Sequence, residues 1–111
     1  TMNFITLQSE EQLDEIKTSA DYSIIFKHNT TCPISKGVKR EIEEEGDKLP
    51  GNVPVYMLDL LAHRNISDAI AKDFGVQHES PQLLVIKQGK CTYNNSLSAI
   101  TVEDTVEAMQ P

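Results

Sequence analysis

The sequence predicts an α/β fold, in which a central mixed sheet of about five strands carries helices on both faces. Two observations predict it. Short segments rich in β-branched residues alternate with amphipathic helical segments along most of the chain, and the last two strand segments follow each other directly. Strands joined through helices pair in parallel, whereas a hairpin pairs its strands antiparallel. We therefore expect three parallel strands plus a C-terminal antiparallel hairpin, in a single domain over residues 1–111.

The N-terminal part of the chain supplies a strand, a helix and a second strand. The apolar run at residues 3–7 predicts the first strand. Ser9, with Gln12 three residues later, has the pattern of a capping box and begins the first helix. The segment YSIIFKH at residues 22–28 is rich in β-branched and aromatic residues and too short for a typical helix, so it predicts a buried strand.

A second helix is predicted from Pro33, because proline is favoured in the first helical turn. Gly46 is suited to end this helix. The acidic stretch before Gly46 is expected to face water, and the apolar residues recur near helical spacing on the other side. The residues that form this apolar stripe are Ile34, Val38, Ile42 and Leu49.

The third strand and third helix follow in the same alternation. Residues 52–61 read NVPVYMLDLL and predict a strand. Asn65 and Asp68 suit the N-cap and first turn of the next helix, because short polar side chains accept hydrogen bonds from its free amides. Gly75 suits the end of this helix, where a left-handed residue is common.

The chain ends with a hairpin and a last helix. Residues 81–96 read as two strands joined at Gln88 and Gly89, because glycine tolerates the positive φ of a tight hairpin turn. Thr101 and Asp104 form the cap of the final helix.

Composition excludes several classes of function. Seventeen acidic residues against ten Lys and Arg give a formal charge of −7, which disfavours nucleic acid and anionic membranes as partners. No apolar stretch approaches the length of a membrane span, and the start TMNFITLQSEEQ lacks the pattern of a secretory signal. Two cysteines far apart do not make a disulfide framework, so we expect a cytoplasmic protein with free thiols.

Cys32 stands where the second strand ends and the second helix begins, which makes it the expected N-cap of that helix. Its sulfur would then face the free N–H groups of Ile34 and Ser35 and the positive end of the helix dipole. Both features favour the thiolate, which is the nucleophile of thiol–disulfide exchange. Ser35 could donate a further hydrogen bond to the sulfur, but it cannot form a disulfide.

Two alternatives bear on the cysteines. A lone cysteine is most often a small buried hydrophobic residue, but the polar residues before Cys32 and Pro33 after it are not a core setting, which favours a reactive thiol. Cys91 lies in the predicted hairpin, where packing is favoured over a resolving role. A resolving role would need the two Cα atoms within about 7 Å.

The stretch before the fourth strand is the second informative segment. Pro81 suits the first position of a strand because it lacks a ladder donor, and a cis Ser80-Pro81 bond is possible. The three histidines, His28, His63 and His78, do not show the tight spacing of metal ligands, so no metal site is expected.

The element order, the Cys-Pro at the strand–helix junction and the Pro before the hairpin together resemble the thioredoxin fold. The resemblance implies a cis proline at Pro81 that packs against the active-site sulfur. Two departures put ordinary dithiol activity in doubt. Ser35 replaces the second cysteine of the C-x-x-C motif, and Phe26 replaces the buried acid that thioredoxins carry six residues before the first cysteine.

The segment FKHNTTCPIS, followed later by HESPQ, is similar to the monothiol bacilliredoxins, the YtxJ-like proteins of bacillithiol-producing bacteria. Their two signatures are matched by residues 31–35 and 78–82. The resemblance implies that Cys32 removes bacillithiol from S-bacillithiolated client proteins and holds it as a mixed disulfide, which a second bacillithiol then resolves. It thus implies a low-molecular-weight thiol as co-substrate and no bound cofactor.

The same resemblance assigns the other site residues. Thr31, Pro33, Ile34 and Ser35 would shape the site around the sulfur, and Ser80 and Pro81 would form its opposite wall. His78, near that wall, would bind the ligand or aid proton transfer, or would simply cap backbone groups of its loop.

Rival functions stay open at this point. A peroxiredoxin is disfavoured, because Asn29 stands where that family carries threonine. A glutaredoxin-like enzyme that uses another low-molecular-weight thiol is harder to exclude, because no residue of the sequence itself specifies bacillithiol. A non-catalytic thioredoxin-like binding module, with Ser35 as a relic of lost activity, is the alternative from another class.

Overall fold

A computed structural model describes residues 2–110, so both end residues of the predicted domain lie outside the described part. The described elements alternate as the sequence predicts, and short 3₁₀ turns follow the second helix and the last strand. In chain order the elements are β1 (Ile5–Thr6), α1 (Glu10–Thr18), β2 (Tyr22–His28), α2 (Pro33–Glu45), β3 (Val55–Asp59), α3 (Arg64–Phe74), β4 (Gln82–Lys87), β5 (Lys90–Ser96) and α4 (Val102–Ala108).

The strands form one sheet in the order β1-β3-β2-β4-β5. The pairs β1/β3 and β2/β3 are parallel, whereas β2/β4 and β4/β5 are antiparallel. This arrangement confirms the predicted mixed sheet of three parallel strands and a C-terminal hairpin. The central strand, β2, leads directly to the segment that contains Cys32.

Helices cover both faces of the sheet, and successive residues of β2 point to opposite faces. Ile24 and Phe26 pack with apolar residues of α2 and α4 in one core. Ile25 packs with apolar residues of α1 and α3, such as Ile16 and Ile70, in the other. The two-faced core explains why YSIIFKH has no polar–apolar alternation: both of its faces are buried.

The predicted helix ends and turn are largely confirmed. Ser9 and Gln12 form the reciprocal hydrogen bonds of a capping box. Gly75 ends α3 in the left-handed conformation, with φ of 64°. The β4–β5 turn has positive φ at both Gln88 and Gly89, and a Cβ at Gly89 would come within 2.8 Å of the Lys17 carbonyl oxygen. Glycine is therefore required at position 89 for both its backbone conformation and its space.

Several boundaries were predicted wrongly. Strand β3 ends at Asp59, because the Asp59 carboxylate accepts hydrogen bonds from the amides of Leu61 and Ala62 and turns the chain. The N-cap of α3 is therefore His63, and Asn65 already lies inside the helix.

The apolar stripe predicted for α2 was also wrong at both ends. Ile34, in the first turn of the helix, is 48% exposed and does not join the core. Helix α2 ends at Glu45, so Leu49 is buried from the turn that follows rather than from the helix.

Candidate active site

The segment around Cys32 and the segment before β4 lie at the same end of the strands of the sheet. Strand β2 ends at His28 and the antiparallel β4 begins at Gln82, with Lys27 opposite Gln82 in the register. The chain that follows β2 and the chain that precedes β4 therefore leave the sheet side by side. Pro81 is tied to the end of β5 as well, because its carbonyl accepts a hydrogen bond from the amide of Leu97.

A tight turn places Cys32 at the start of α2. The Asn29 side-chain oxygen accepts hydrogen bonds from the amide of Thr31 at 3.0 Å and from its hydroxyl at 2.8 Å. The amide of Cys32 donates to the Asn29 carbonyl, and the Cys32 carbonyl accepts the helical bond from Lys36. These bonds confirm Cys32 as the N-cap residue, with Pro33 in the first helical position.

The Cys32 side chain is half-buried and is a free thiol. Within the part of the chain that the structure describes, no cap hydrogen bond joins its sulfur to the first turn of α2. The expected bonds from the amides of Ile34 and Ser35 are therefore not formed. The sulfur still lies at the N-terminal end of α2, where the helix dipole is positive.

Ser35 does not support the sulfur as predicted. Its side chain is fully buried, and its hydroxyl oxygen accepts a hydrogen bond from the amide of Asn29 at 2.9 Å. The same oxygen lies 2.7 Å from Nδ1 of His28. The hydroxyl thus faces the end of β2, because the third helical position turns its side chain back toward the sheet. Ser35 joins the helix to the strand.

His28 is a site residue that the sequence analysis considered only as a metal ligand. Its buried ring stacks on Phe26 with 5.6 Å between ring centroids. Burial lowers the pKa of His28, and the positive charge of Lys39 adds to this effect. The imidazole is therefore neutral near pH 7, and it can accept the Ser35 hydroxyl proton at Nδ1.

The segment predicted to form the opposite wall contains a cis peptide bond between Ser80 and Pro81, as the thioredoxin resemblance implies. Pro81 is buried, and the Gln82 side-chain amide donates to the Gln77 carbonyl at 3.0 Å. Within residues 2–110, neither the Ser80 hydroxyl nor the Gln82 side-chain oxygen has a hydrogen-bond partner, although both atoms are buried.

His78 lies beside this wall and contacts side chains rather than backbone groups. Its Nδ1 lies 3.3 Å from Nζ of Lys27 and 3.3 Å from the hydroxyl oxygen of Ser67. Lys27 is fully buried and also donates to the Ser67 carbonyl. Lys27 was not predicted as a site residue, although a lysine inside an apolar strand is a signal visible in the sequence.

Three further residues around Cys32 are exposed. Thr31, Pro33 and Ile34 are exposed, so they form an accessible rim at the start of α2. The rim is apolar at Ile34, whose side chain is free to contact a bound partner.

Cys91 lies at the other end of the sheet. It pairs with Ile86, four residues along β4 from Gln82, a separation of roughly 14 Å along the strand. This separation exceeds the reach of a disulfide with Cys32. The Cys91 thiol donates to the Tyr93 carbonyl, and burial raises its pKa. The structure therefore favours a packing role for Cys91.

Across residues 2–110 there is no helix with the length and apolar character of a membrane span. The same residues hold no group of three or more His, Cys, Asp and Glu placed to bind a metal ion. A cavity of about 680 Å³ lies near the start of β3, at the opposite sheet edge from Cys32, and is lined in part by Gly51, Asn52 and Val55.

Comparison with known proteins gives one family match and several structural matches. Residues 5–105 match the family model described as monothiol bacilliredoxin BrxC. A solved structure described as a candidate oxidoreductase with a thioredoxin fold is 30% identical, with a TM-score of 0.83 over 96% of this chain and 93% of that chain.

Two thioredoxins share the fold at lower identity. The thioredoxin of Malassezia sympodialis is 15% identical, with a TM-score of 0.75 over 97% of this chain and 90% of that chain. The thioredoxin of Trypanosoma brucei brucei is 17% identical, with a TM-score of 0.71 over 86% of this chain and 80% of that chain. Together with the sheet order, these likenesses confirm the thioredoxin-like fold.

Proposed function

Because the chain belongs to the monothiol bacilliredoxin family, we propose that it removes bacillithiol from protein mixed disulfides through a Cys32–S–bacillithiol intermediate. The family and the fold support a thiol–disulfide oxidoreductase role in general. We further propose that the small thiol is bacillithiol, that the clients are proteins that carry it, and that the location is cytoplasmic, where thiols are kept reduced.

The position of Cys32 at the start of α2 is the observation that carries the proposal. Cys32 is half-buried at the N-terminus of α2, and the sheet register sets the chain after β2 beside the chain before β4, which contains Ser80 and Pro81. Ser35 occupies the position of a resolving thiol and is committed to hydrogen bonds with His28 and Asn29. Since Cys91 lies at the far end of the sheet, a disulfide at Cys32 must be resolved by a thiol from solution.

The reaction balances as two thiol–disulfide exchanges. The Cys32 thiolate attacks the bacillithiol sulfur of the client mixed disulfide, that S–S bond breaks, and the client thiolate leaves and takes a proton from solvent. The thiolate of a second bacillithiol then attacks the bacillithiol sulfur held on Cys32. This step releases the Cys32 thiolate and bacillithiol disulfide. The client thiol is thus reduced, and two bacillithiol molecules are joined by oxidation.

The surrounding residues receive roles in this proposal. Thr31, Pro33 and Ile34 form the accessible rim on which the client would rest. Ser80 and Pro81 would form the opposite wall, where the backbone of Ser80 could align the mixed disulfide. Ser35 would act indirectly, by fixing α2 against β2.

The decisive experiment is the intact mass of the reduced protein after incubation with bacillithiol disulfide. The proposal expects one bacillithiol adduct on the wild type and on Cys91→Ser, and no adduct on Cys32→Ser. A bacillithiolated client protein should then lose its modification in the presence of wild type and free bacillithiol. An adduct with glutathione disulfide alone would instead indicate a glutaredoxin-like enzyme. No adduct with either disulfide would indicate a binding module.

A further inference from the structure

Lys27 is an unusual residue for the interior of a small domain. It lies in the central strand β2 with no exposed surface, and its side chain points toward α3. Burial lowers the pKa of Lys27 to about 8, whereas the charge of Asp68 acts in the opposite direction. The ammonium group is therefore mostly retained at pH 7, although an apolar residue in its place would avoid the cost of burying a charge. This cost calls for a role beyond packing.

The hydrogen bonds of Lys27 determine which ring nitrogen of His78 carries the proton. An ammonium group only donates, so both the Ser67 carbonyl oxygen and Nδ1 of His78 must accept from Nζ. Burial, Lys27 and Arg64 lower the pKa of His78, against weaker opposing effects of Asp68 and Glu79. A neutral ring that accepts at Nδ1 carries its proton on Nε2.

The location of His78 gives this tautomer a use. The residue is exposed, while its Nδ1 faces the buried Lys27, so Nε2 is the ring nitrogen on the solvent side. The loop of His78 leads directly into the Ser80-Pro81 wall, and Lys27 lies opposite Gln82 at the start of β4. The Nε2–H group is thus a hydrogen-bond donor of fixed orientation beside the proposed binding site.

We propose that Lys27 is a positioning residue that holds His78 as an Nε2–H donor, and that this donor recognises a carboxylate on the small thiol that reacts with Cys32. This inference rests on the proposed function for its ligand. A carboxylate fits because a hydrogen bond to a charged acceptor is stronger than one to a neutral acceptor. Arg64 is a further positive charge close enough to lower the pKa of His78, and its effect exceeds the opposing effects of Asp68 and Glu79.

The tautomer can be tested without any substrate. Nitrogen-15 NMR of the wild type at pH 7 should show His78 with the proton on Nε2 and an unprotonated Nδ1. Lys27→Met should raise the pKa of His78 and populate both tautomers. Lys87→Met, which removes a lysine at the other end of β4, is the matched control and should leave His78 unchanged. A wild-type ring with its proton on Nδ1 would overturn the assignment.

Recognition is tested with two simple disulfides that differ in charge. The rate at which Cys32 becomes modified is measured with 3,3′-dithiodipropionate, which carries carboxylates, and with bis(2-hydroxyethyl) disulfide, which does not. Two neutral variants of His78 separate the ring nitrogens: Gln places an N–H donor near the position of Nε2, whereas Asn reaches only the position of Nδ1. His78→Asn should lower the carboxylate-to-neutral rate ratio about tenfold, and His78→Gln should largely retain it.

An equal ratio in wild type and His78→Asn would overturn the recognition role, whatever the fate of the bacillithiol experiment. Conversely, a carboxylate-to-neutral rate ratio that falls in His78→Asn, together with no bacillithiol adduct on wild-type Cys32, would overturn the proposed function but support the role of His78. The exposed position of His78 makes both of its variants suitable even if Lys27→Met does not fold.

Discussion

The hydroxyl oxygen of Ser35 lies 2.7 Å from Nδ1 of His28, in a fully buried contact between the first turn of α2 and the end of β2. The amide of Asn29 donates to the same oxygen. One hydroxyl therefore satisfies two groups of the strand end and sets the distance between the strand and the helix that carries Cys32. The position that holds a second sulfur in dithiol enzymes here holds the helix in place.

Replacing Ser35 by alanine is expected to destabilise the protein. The Asn29 amide and the His28 ring would lose a buried partner, which costs about 1–3 kcal/mol of unfolding free energy. Urea unfolding of Ser35→Ala and of the exposed control Ser98→Ala measures the difference. Equal stability of the two variants would show that the contact carries little free energy.

The burial of His28 predicts that the protein becomes less stable at acidic pH. Burial holds the pKa of His28 below its ordinary value of 6.5, so below that pH the unfolded chain binds a proton that the folded chain does not. Stability is therefore lost as the pH falls from 6.5 toward the lowered pKa, by at most about 1.4 kcal/mol per pH unit. Unfolding free energies at pH 7.5 and 5.5 should diverge less in His28→Asn than in wild type. A similar acid sensitivity in His28→Asn would assign the effect to other groups, and His63→Asn is the control for loss of a histidine.

Most of the fold could be predicted from local patterns. The capping box at Ser9, the glycine at Gly75 and the turn at Gln88-Gly89 each depend on a few neighbouring residues, and the structure has them where the sequence predicts them. The N-cap position of Cys32 belongs to the same class, because strand, cysteine and proline are adjacent in the chain.

Contacts between distant segments could not be predicted in this way. The direction of the Ser35 hydroxyl depends on where the His28 ring lies, and the fate of Lys27 depends on Ser67, forty positions further along the chain. The boundary of β3 was misplaced for a related reason, since the Asp59 carboxylate competes with the strand for the next backbone amides.

The lowered pKa of Lys27 predicts that the protein becomes more stable as the pH rises. Its pKa is about 8 in the folded protein, lowered mainly by burial from an ordinary value of 10.5, so between these values the unfolded chain binds the extra proton. The unfolding free energy of wild type relative to Lys27→Met should therefore rise by up to about 3 kcal/mol from pH 7 to pH 10.5. Chemical unfolding of both proteins across this range measures the difference, because the remaining lysines titrate alike in both. A constant difference would show that Lys27 titrates normally in the folded state.

Cys91→Ser should leave single-turnover transfer of bacillithiol at the wild-type rate. The register places Cys91 beside Ile86, at the opposite end of β4 from Gln82, so its sulfur cannot reach Cys32 without unfolding the hairpin. The same geometry predicts that diamide does not form a disulfide within the wild-type monomer. Intact mass, which would fall by two hydrogens, and peptide mapping check this. A Cys32–Cys91 peptide, or a large fall in the transfer rate of Cys91→Ser, would contradict resolution by a thiol from solution.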